Sequence, residues 1–211
     1  MIGIKKTEWL LLVGLLVLSF VPVVGGTFRL AELGLGTSIE FLPINPRIES
    51  APIPVIFHLV SSIVYCILGA FQFLPTLRKN HPLWHRVAGR LLVCAGVVSA
   101  LSGLWMTHFY AFPAQLQGTL LYVVRVIVSV AMVIFIGVAV SSILKKRVIK
   151  HQAFMIRAYA LGQGAGTQVL ITLPWLLSVG EPEGFTREIL MSAAWVVNIA
   201  VGEWVIKKLS N

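Results

Sequence analysis

LRKNHPLWHRVAGRLLVCAGVVSALSGLWMTH, residues 77–108, is the stretch whose reading decides the fold. A basic, Trp-containing turn leads into an apolar run, with His85 near its start and His108 at its end. Gly89, Gly96 and Gly103 recur at seven-residue intervals between them. At helical pitch these glycines lie within about 40° of His85. The stretch reads as a transmembrane helix with one smooth face. A neighbouring helix or a flat ligand can approach such a face closely, and ordinary small-residue packing is the plainer use of it. His108 falls about 140° from His85 and about 35 Å along the axis, so the two cannot serve one site.

Working outward, the whole chain is 57% hydrophobic and 12% charged, where a soluble domain carries about a quarter charged residues. Mean hydropathy is +0.89. Apolar runs of roughly 20 residues recur, each sufficient to cross a ~30 Å hydrocarbon layer, and they are continuous rather than alternating. The expected fold is all-α: a six-helix integral membrane bundle forming one transmembrane domain over residues 1–211. The segments run from about 8–26, 53–74, 82–107, 118–144, 152–177 and 186–206. Lys5 and Lys6 before the first segment resemble a signal peptide's start, but no clear A-x-A site follows and an uncleaved helix is expected. Cys66 and Cys94 both sit inside apolar runs and read as free thiols.

The formal charge of +9 does not point to nucleic acid, because the basic residues cluster in short turns that set topology. Lys5 and Lys6, the Arg78–Arg90 turn, the Lys145–Lys150 turn and Lys207–Lys208 all fall on one side of a six-span chain. By the positive-inside rule this is the cytoplasmic side of a cell membrane, and it holds both termini. Trp9, Trp84 and Trp204 then mark the inner boundary, and Trp105 and Trp175 the outer. The 28–52 stretch reads as the longest non-helical segment, either a cap on the bundle or a plain connector. Segments two–three and four–five resemble each other, each a basic turn followed by His then Arg (His85 to Arg90, His151 to Arg157), which suggests a four-helix core from segments two to five.

On segment two, Ser62, Tyr65, Gly69 and Gln72 share a face with His58, within about 40°. Lipid offers that stripe no partners, so it should point inward, as a hydrogen-bonded seam or towards a ligand. On segment five, Ala158, Gly162 and Gly166 form a small-residue face beginning at His151. Arg157 and Glu203 should lie at similar depth, where an ion pair competes with snorkelling of each side chain. Arg125 has no acidic partner in a span and could face an anionic group such as a propionate or a lipid headgroup.

Two neutral imidazoles on opposing helices, with small residues where a ring would lie flat, are what a b-type haem requires. His85 and His151 satisfy the depth condition as axial ligands, Arg157 could meet the propionates, and His58 could belong to a second, outer layer. On that reading haem b would carry electrons across the membrane, with a redox partner or a quinone to be found. Segment four has no histidine, which argues against a full two-haem version. The alternative is a non-enzymatic membrane protein whose His, Arg and Glu residues hold the bundle together or bind a lipid or small molecule. A metal shared by His58 and His108 lacks further ligands at suitable spacing. The chain has no P-loop, no G-x-S-x-G, no H-E-x-x-H and no Asp, so a carboxylate-driven hydrolase is not expected. A coupled transporter would show mid-membrane carboxylates or broken helices, and neither is read in the sequence.

GAFQFLPTLRKNHPLWHRVAGR (69–90) after His58, HQAFMIRAYAL (151–161) and WVVNIAVGEW (195–204) together resemble a bacterial family of predicted membrane proteins catalogued as a domain of unknown function (two-three-zero-six). The resemblance covers segments two to six. It implies that His58, Gln72, Arg78, His85, Arg90, His151, Arg157, Asn198 and Glu203 occupy the family's motif positions, while His108 does not. It carries no activity. The layout is also similar to that of cytochrome b561-like proteins, at the level of fold analogy.

Overall fold

Leucine, valine and isoleucine on every side of a helix, rather than along one stripe, leave it no water-facing surface. In the computed structural model, which describes residues 5–36 and 46–210, the large apolar side chains point outward in quantity. Leu10, Val17, Phe20, Ile127, Ile134 and Val196 are all exposed, as lipid-facing residues must be. The described residues form nine helices and no strand. Five of these helices are long and apolar enough to cross a membrane by length and composition. They are α1 (Lys6–Leu35), α3 (Pro52–Gln72), α5 (Pro82–Phe109), α6 (Thr119–Leu144) and α9 (Gly184–Ser210). Short helices α2 (Pro46–Ser50) and α4 (Pro75–Asn80) precede and follow α3. Proline in the first turn of α3, α4 and α5 starts each where the missing N–H costs nothing.

Two expectations are corrected. The first segment does not end near Gly26 but runs to Leu35. Arg29 and Glu32, expected in the 28–52 loop, form an ion pair one turn apart on α1. The helix stops at Gly36, whose φ of 65° lets its N–H cap the Glu32 carbonyl. Residues 37–45, the middle of that loop, lie outside the described residues.

The second correction concerns segment five. It is not one helix but two, α7 (Val148–Gly162) and α8 (Gly164–Ser178), joined at Gln163. Backbone bonds still pass through the joint, Gln163 N–H to the Tyr159 carbonyl at 3.0 Å and Gly166 N–H to the Gln163 carbonyl at 3.1 Å. Gln163, flanked by glycines, has φ −78° and ψ 2°, so the interruption is a single residue long.

The core is drawn from four helices. Tyr65 of α3, Leu92, Ala95 and Ala100 of α5, Met132 and Ile136 of α6, and Ala158, Tyr159 and Leu161 of α7 form one buried cluster. A single antiparallel register joins α3 to α5. It seats His58 on Gly103, Tyr65 on Gly96 and Gln72 near Gly89, and pairs the hydroxyls of Ser62 and Ser99 at 2.7 Å. The polar stripe on α3 is therefore an inter-helix seam. α1 packs on α3 and α8, while α9 packs on α6, α7 and α8.

The bundle has two distinct ends. At the termini end, Glu8 accepts from the Thr76 N–H (3.3 Å) and hydroxyl (2.9 Å), fixing the start of α1 to α4. At the loop end, the Leu121 N–H donates to Glu188 at 3.0 Å, fixing the start of α6 to α9, where a carboxylate also suits the helix dipole.

Candidate functional site

At the joint of the broken helix, Gln163 is buried and fully employed. Its carbonyl oxygen accepts from the Ser19 hydroxyl (3.0 Å), and its amide donates to the Tyr159 hydroxyl (2.6 Å). Tyr159 in turn donates to the Cys66 carbonyl at 2.7 Å. Beyond this joint α7 stays in the core, but α8 packs on α1 and α9. That divergence opens the bundle's loop-end half into a cavity of about 380 Å³. The volume lies in the range of small-molecule sites, about 300–1,000 Å³.

Polar groups converge on this cavity. His58 enters from α3 and Arg125 from α6, with Ser62, Ser129 and Gln168 around them. His58 Nδ1 lies 2.9 Å from the Ser99 carbonyl oxygen, which can only accept, so Nδ1 carries the proton and Nε2 keeps its lone pair. Arg125 bonds the Gln117 side-chain oxygen. Arg47 and Arg125 both place their guanidinium groups on the Phe112 ring, 4.5 Å and 5.2 Å from its centroid. Tyr110, at the same rim, donates to the Ala51 carbonyl at 2.6 Å. Burial pushes its phenol above the ordinary value, opposed by nearby Arg47, so it remains a donor.

The termini end holds His85 and His151. Arg78 and His151 are among the groups whose charge acts on His85. His151 Nδ1 lies 3.0 Å from the Ala139 carbonyl, which again leaves Nε2 as the free lone pair. His85 Nδ1 and Gln72 Nε2 are buried without a hydrogen-bond partner. Arg157 is engaged elsewhere: its Nε and Nη2 donate to the two Glu203 oxygens at 2.5 Å and 2.8 Å. Asn198 bonds the Ala160 carbonyl and the Thr167 hydroxyl, tying α9 to both halves of the broken helix.

A haem on this end needs free ligand nitrogens and flat lateral space. His151 meets the first need, and the unpartnered His85 nitrogen is compatible with it. The second is met only near His85. A Cβ on Gly89 would find the Gln72 oxygen at 3.8 Å, but one on Gly96 or Gly162 would meet the Tyr65 ring at 2.7 Å. Tyr65 thus fills the gap between the two glycine faces in mid-bundle. Among the described residues there is no group of three or more His, Cys, Asp or Glu side chains suited to a metal ion. His58 and His108 are parted: His58 lines the cavity, and His108 is exposed and paired with the Tyr122 hydroxyl at 2.9 Å.

Sequence reasoning missed Gln163 and Ser19. The signal was present in LGQGAG (161–166), a polar amide bracketed by glycines within an apolar run.

The fold and its interior define a polytopic helical membrane protein with a polar-lined cavity between its helices. Residues 55–206 match the family described as predicted membrane protein (DUF2306), and the chain belongs to that family. No curated protein matches the chain, and no solved structure does.

Proposed function

We propose that this is a six-span protein of the cell membrane, with both termini cytoplasmic, that binds a small molecule in the His58–Arg125 cavity from the opposite side. α7 and α8 together make the sixth span, and the basic turns at the termini end support the orientation. The observation that carries the reading is the cavity itself. Arg125 and His58 are costly inside a membrane, and such residues ordinarily serve a pathway or a ligand. Native mass spectrometry of the purified protein tests it. Wild type should retain a small-molecule adduct, and Ser129→Phe, which fills the cavity, should lose it. A wild type without any adduct, and stabilised by no member of a small-molecule panel, would sink the reading. Orientation is checked separately in a background lacking Cys66 and Cys94. An impermeant maleimide on intact cells should label Ala114→Cys and spare Lys145→Cys, and the reverse pattern overturns it.

A second reading is a b-type haem held by His85 and His151 for electron transfer. It is favoured by the tautomer of His151 and by the buried, unpartnered Nδ1 of His85. Such a haem, when bound, would supply one-electron chemistry, while His151 and His85 would hold it. A reduced-minus-oxidised absorption spectrum of protein expressed with ample haem decides. A Soret band lost in His85→Ala and His151→Ala, yet kept in His58→Ala, supports it. A colourless protein rules it out.

A further inference from the structure

We propose that the ligand of the central cavity is a single-chain amphipathic anion, a long-chain carboxylate in its simplest form. Its head would pair with Arg125, and its apolar body would lie against Leu59, Ile63 and Met132 towards the Gln163 joint. This rests on the cavity reading above and deepens it. Three observations carry it.

The first is charge. Among the described residues Arg125 forms no ion pair, and Arg187 acts on it as a like charge. Arg187 Nε is buried without a hydrogen-bond partner. The carboxylate of Glu188 bonds the Leu121 N–H at the start of α6 and, among the described residues, forms an ion pair with no guanidinium. A guanidinium within a span, beside a second one, is expensive without an anion, and the described side chains give it only the neutral oxygen of Gln117 and the face of the Phe112 ring.

The second is position. Arg125 lies two turns into α6 from the loop end, deep enough to hold a head group inside the bundle while the mouth stays near the membrane surface. The third is the lining below it. Past His58 and Ser62 the walls are mostly aliphatic and sulfur-bearing, and they end at Gln163, whose polar atoms are already satisfied by Ser19 and Tyr159. The deep part therefore offers dispersion contacts and few unused donors, which suits an alkyl chain. A free inorganic anion would leave that volume unfilled.

The test uses the full chain in phosphatidylcholine nanodiscs, titrated calorimetrically with dodecanoate, dodecanol, acetate and inorganic phosphate, with empty discs subtracted. Dodecanoate should bind saturably and at least about tenfold tighter than dodecanol, a difference of about 1.4 kcal/mol. Acetate and phosphate should not saturate. Arg125→Gln should abolish the preference for the acid, and Arg125→Lys should keep part of it, because a point charge remains. Arg187→Gln, outside the cavity wall, should narrow the preference by a smaller factor, and it serves if Arg125→Gln fails to fold. Equal binding of acid and alcohol by wild type overturns the inference but leaves a neutral-ligand cavity standing. A preference for the acid that survives both arginine variants overturns it as well. If neither amphiphile binds while an adduct of another class is retained, the ligand class is wrong. If no adduct is retained either, the cavity reading falls with it.

Discussion

His58 and His151 make the same local bond in two different settings. Each donates its Nδ1 proton to a backbone carbonyl on a neighbouring helix, Ser99 for one and Ala139 for the other. Each therefore presents a fixed tautomer with a free Nε2. What surrounds that nitrogen differs. At the loop end α8 diverges towards α1 and α9, and His58 looks into a cavity with Arg125. At the termini end α6 and α7 stay packed together, and His151 of α7 lies against the Ala139 carbonyl of α6. Matching side-chain chemistry is thus given two uses by helix divergence. A histidine pattern alone does not locate a site; the space beside it does.

The most disruptive way to break this contrast is to close the divergence. A Cβ on Gly166 would stand 2.0 Å from the Leu18 carbonyl oxygen, a backbone atom with nowhere to go. Gly166→Val should push α1 from α8 and cost about 1–3 kcal/mol or more, the range for overpacked interiors. Thermal unfolding in detergent measures it. Unchanged stability would mean that α1 does not pack there.

Next in size is a paired comparison along the glycine stripe of α5. Gly96→Ala must displace Tyr65 and Ile136, each 2.7 Å from the new Cβ, and should destabilise by about 1–3 kcal/mol. Gly89→Ala meets only Gln72 at ordinary contact distance and should be neutral, or stabilising by up to about 1 kcal/mol from helix propensity. The pair also sharpens the choice of sites. If a haem ring lay on the stripe beside His85, Gly89→Ala would remove its Soret band without unfolding the protein. Ligand binding in the loop-end cavity should not notice that variant.

Much of this organisation was legible beforehand, and the parts that were not share a cause. The seam on α3 could be read because burial in a lipid-facing helix forces His58, Ser62, Tyr65 and Gln72 to one side. The meeting of Arg157 with Glu203 followed from depth along straight helices. Straightness was also where the reading failed. Gly25 and Gly26 looked like the end of the first segment, yet α1 continues through them, because the Arg29–Glu32 pair and the Gly36 cap support nine further residues beyond Gly26. Segment five read as one continuous helix over 152–177, whereas Gln163 is a joint within it. The cavity depends on where α8 leans after that joint. Such a volume is a property of helix placement and leaves no periodic trace in the chain.

The joint should yield to a milder change than the glycines do. Gln163→Leu removes both bonds that hold it, taking a donor from the Tyr159 hydroxyl and leaving the Ser19 hydroxyl with only the Leu15 carbonyl as acceptor. Inter-helix hydrogen bonds in membranes are worth about 0.6 kcal/mol on average, up to about 1.7, so a loss of about 1 kcal/mol is expected. The informative result is positional. If the bond network maintains the divergence, Gln163→Leu should weaken ligand retention in the cavity more than it lowers stability. If stability falls and retention does not, the glycines alone set the bend.

The smallest effect should be at the termini end. Arg157 and Glu203 form a two-point ion pair, but the side chains are 22% and 46% exposed. Screening by solvent and headgroups limits such pairs to about 0–1 kcal/mol. Arg157→Gln and Glu203→Gln should each cost about 0.5 kcal/mol, and the double variant little more than either alone, because each single change already breaks the pair. Strict additivity in that cycle would show that the two side chains act independently. Arg157 would then be free for another partner, and the haem reading would regain the cation it expected for a propionate. A coupling of the expected sign keeps Arg157 with Glu203, and takes from the haem reading the cation it assigned to a propionate.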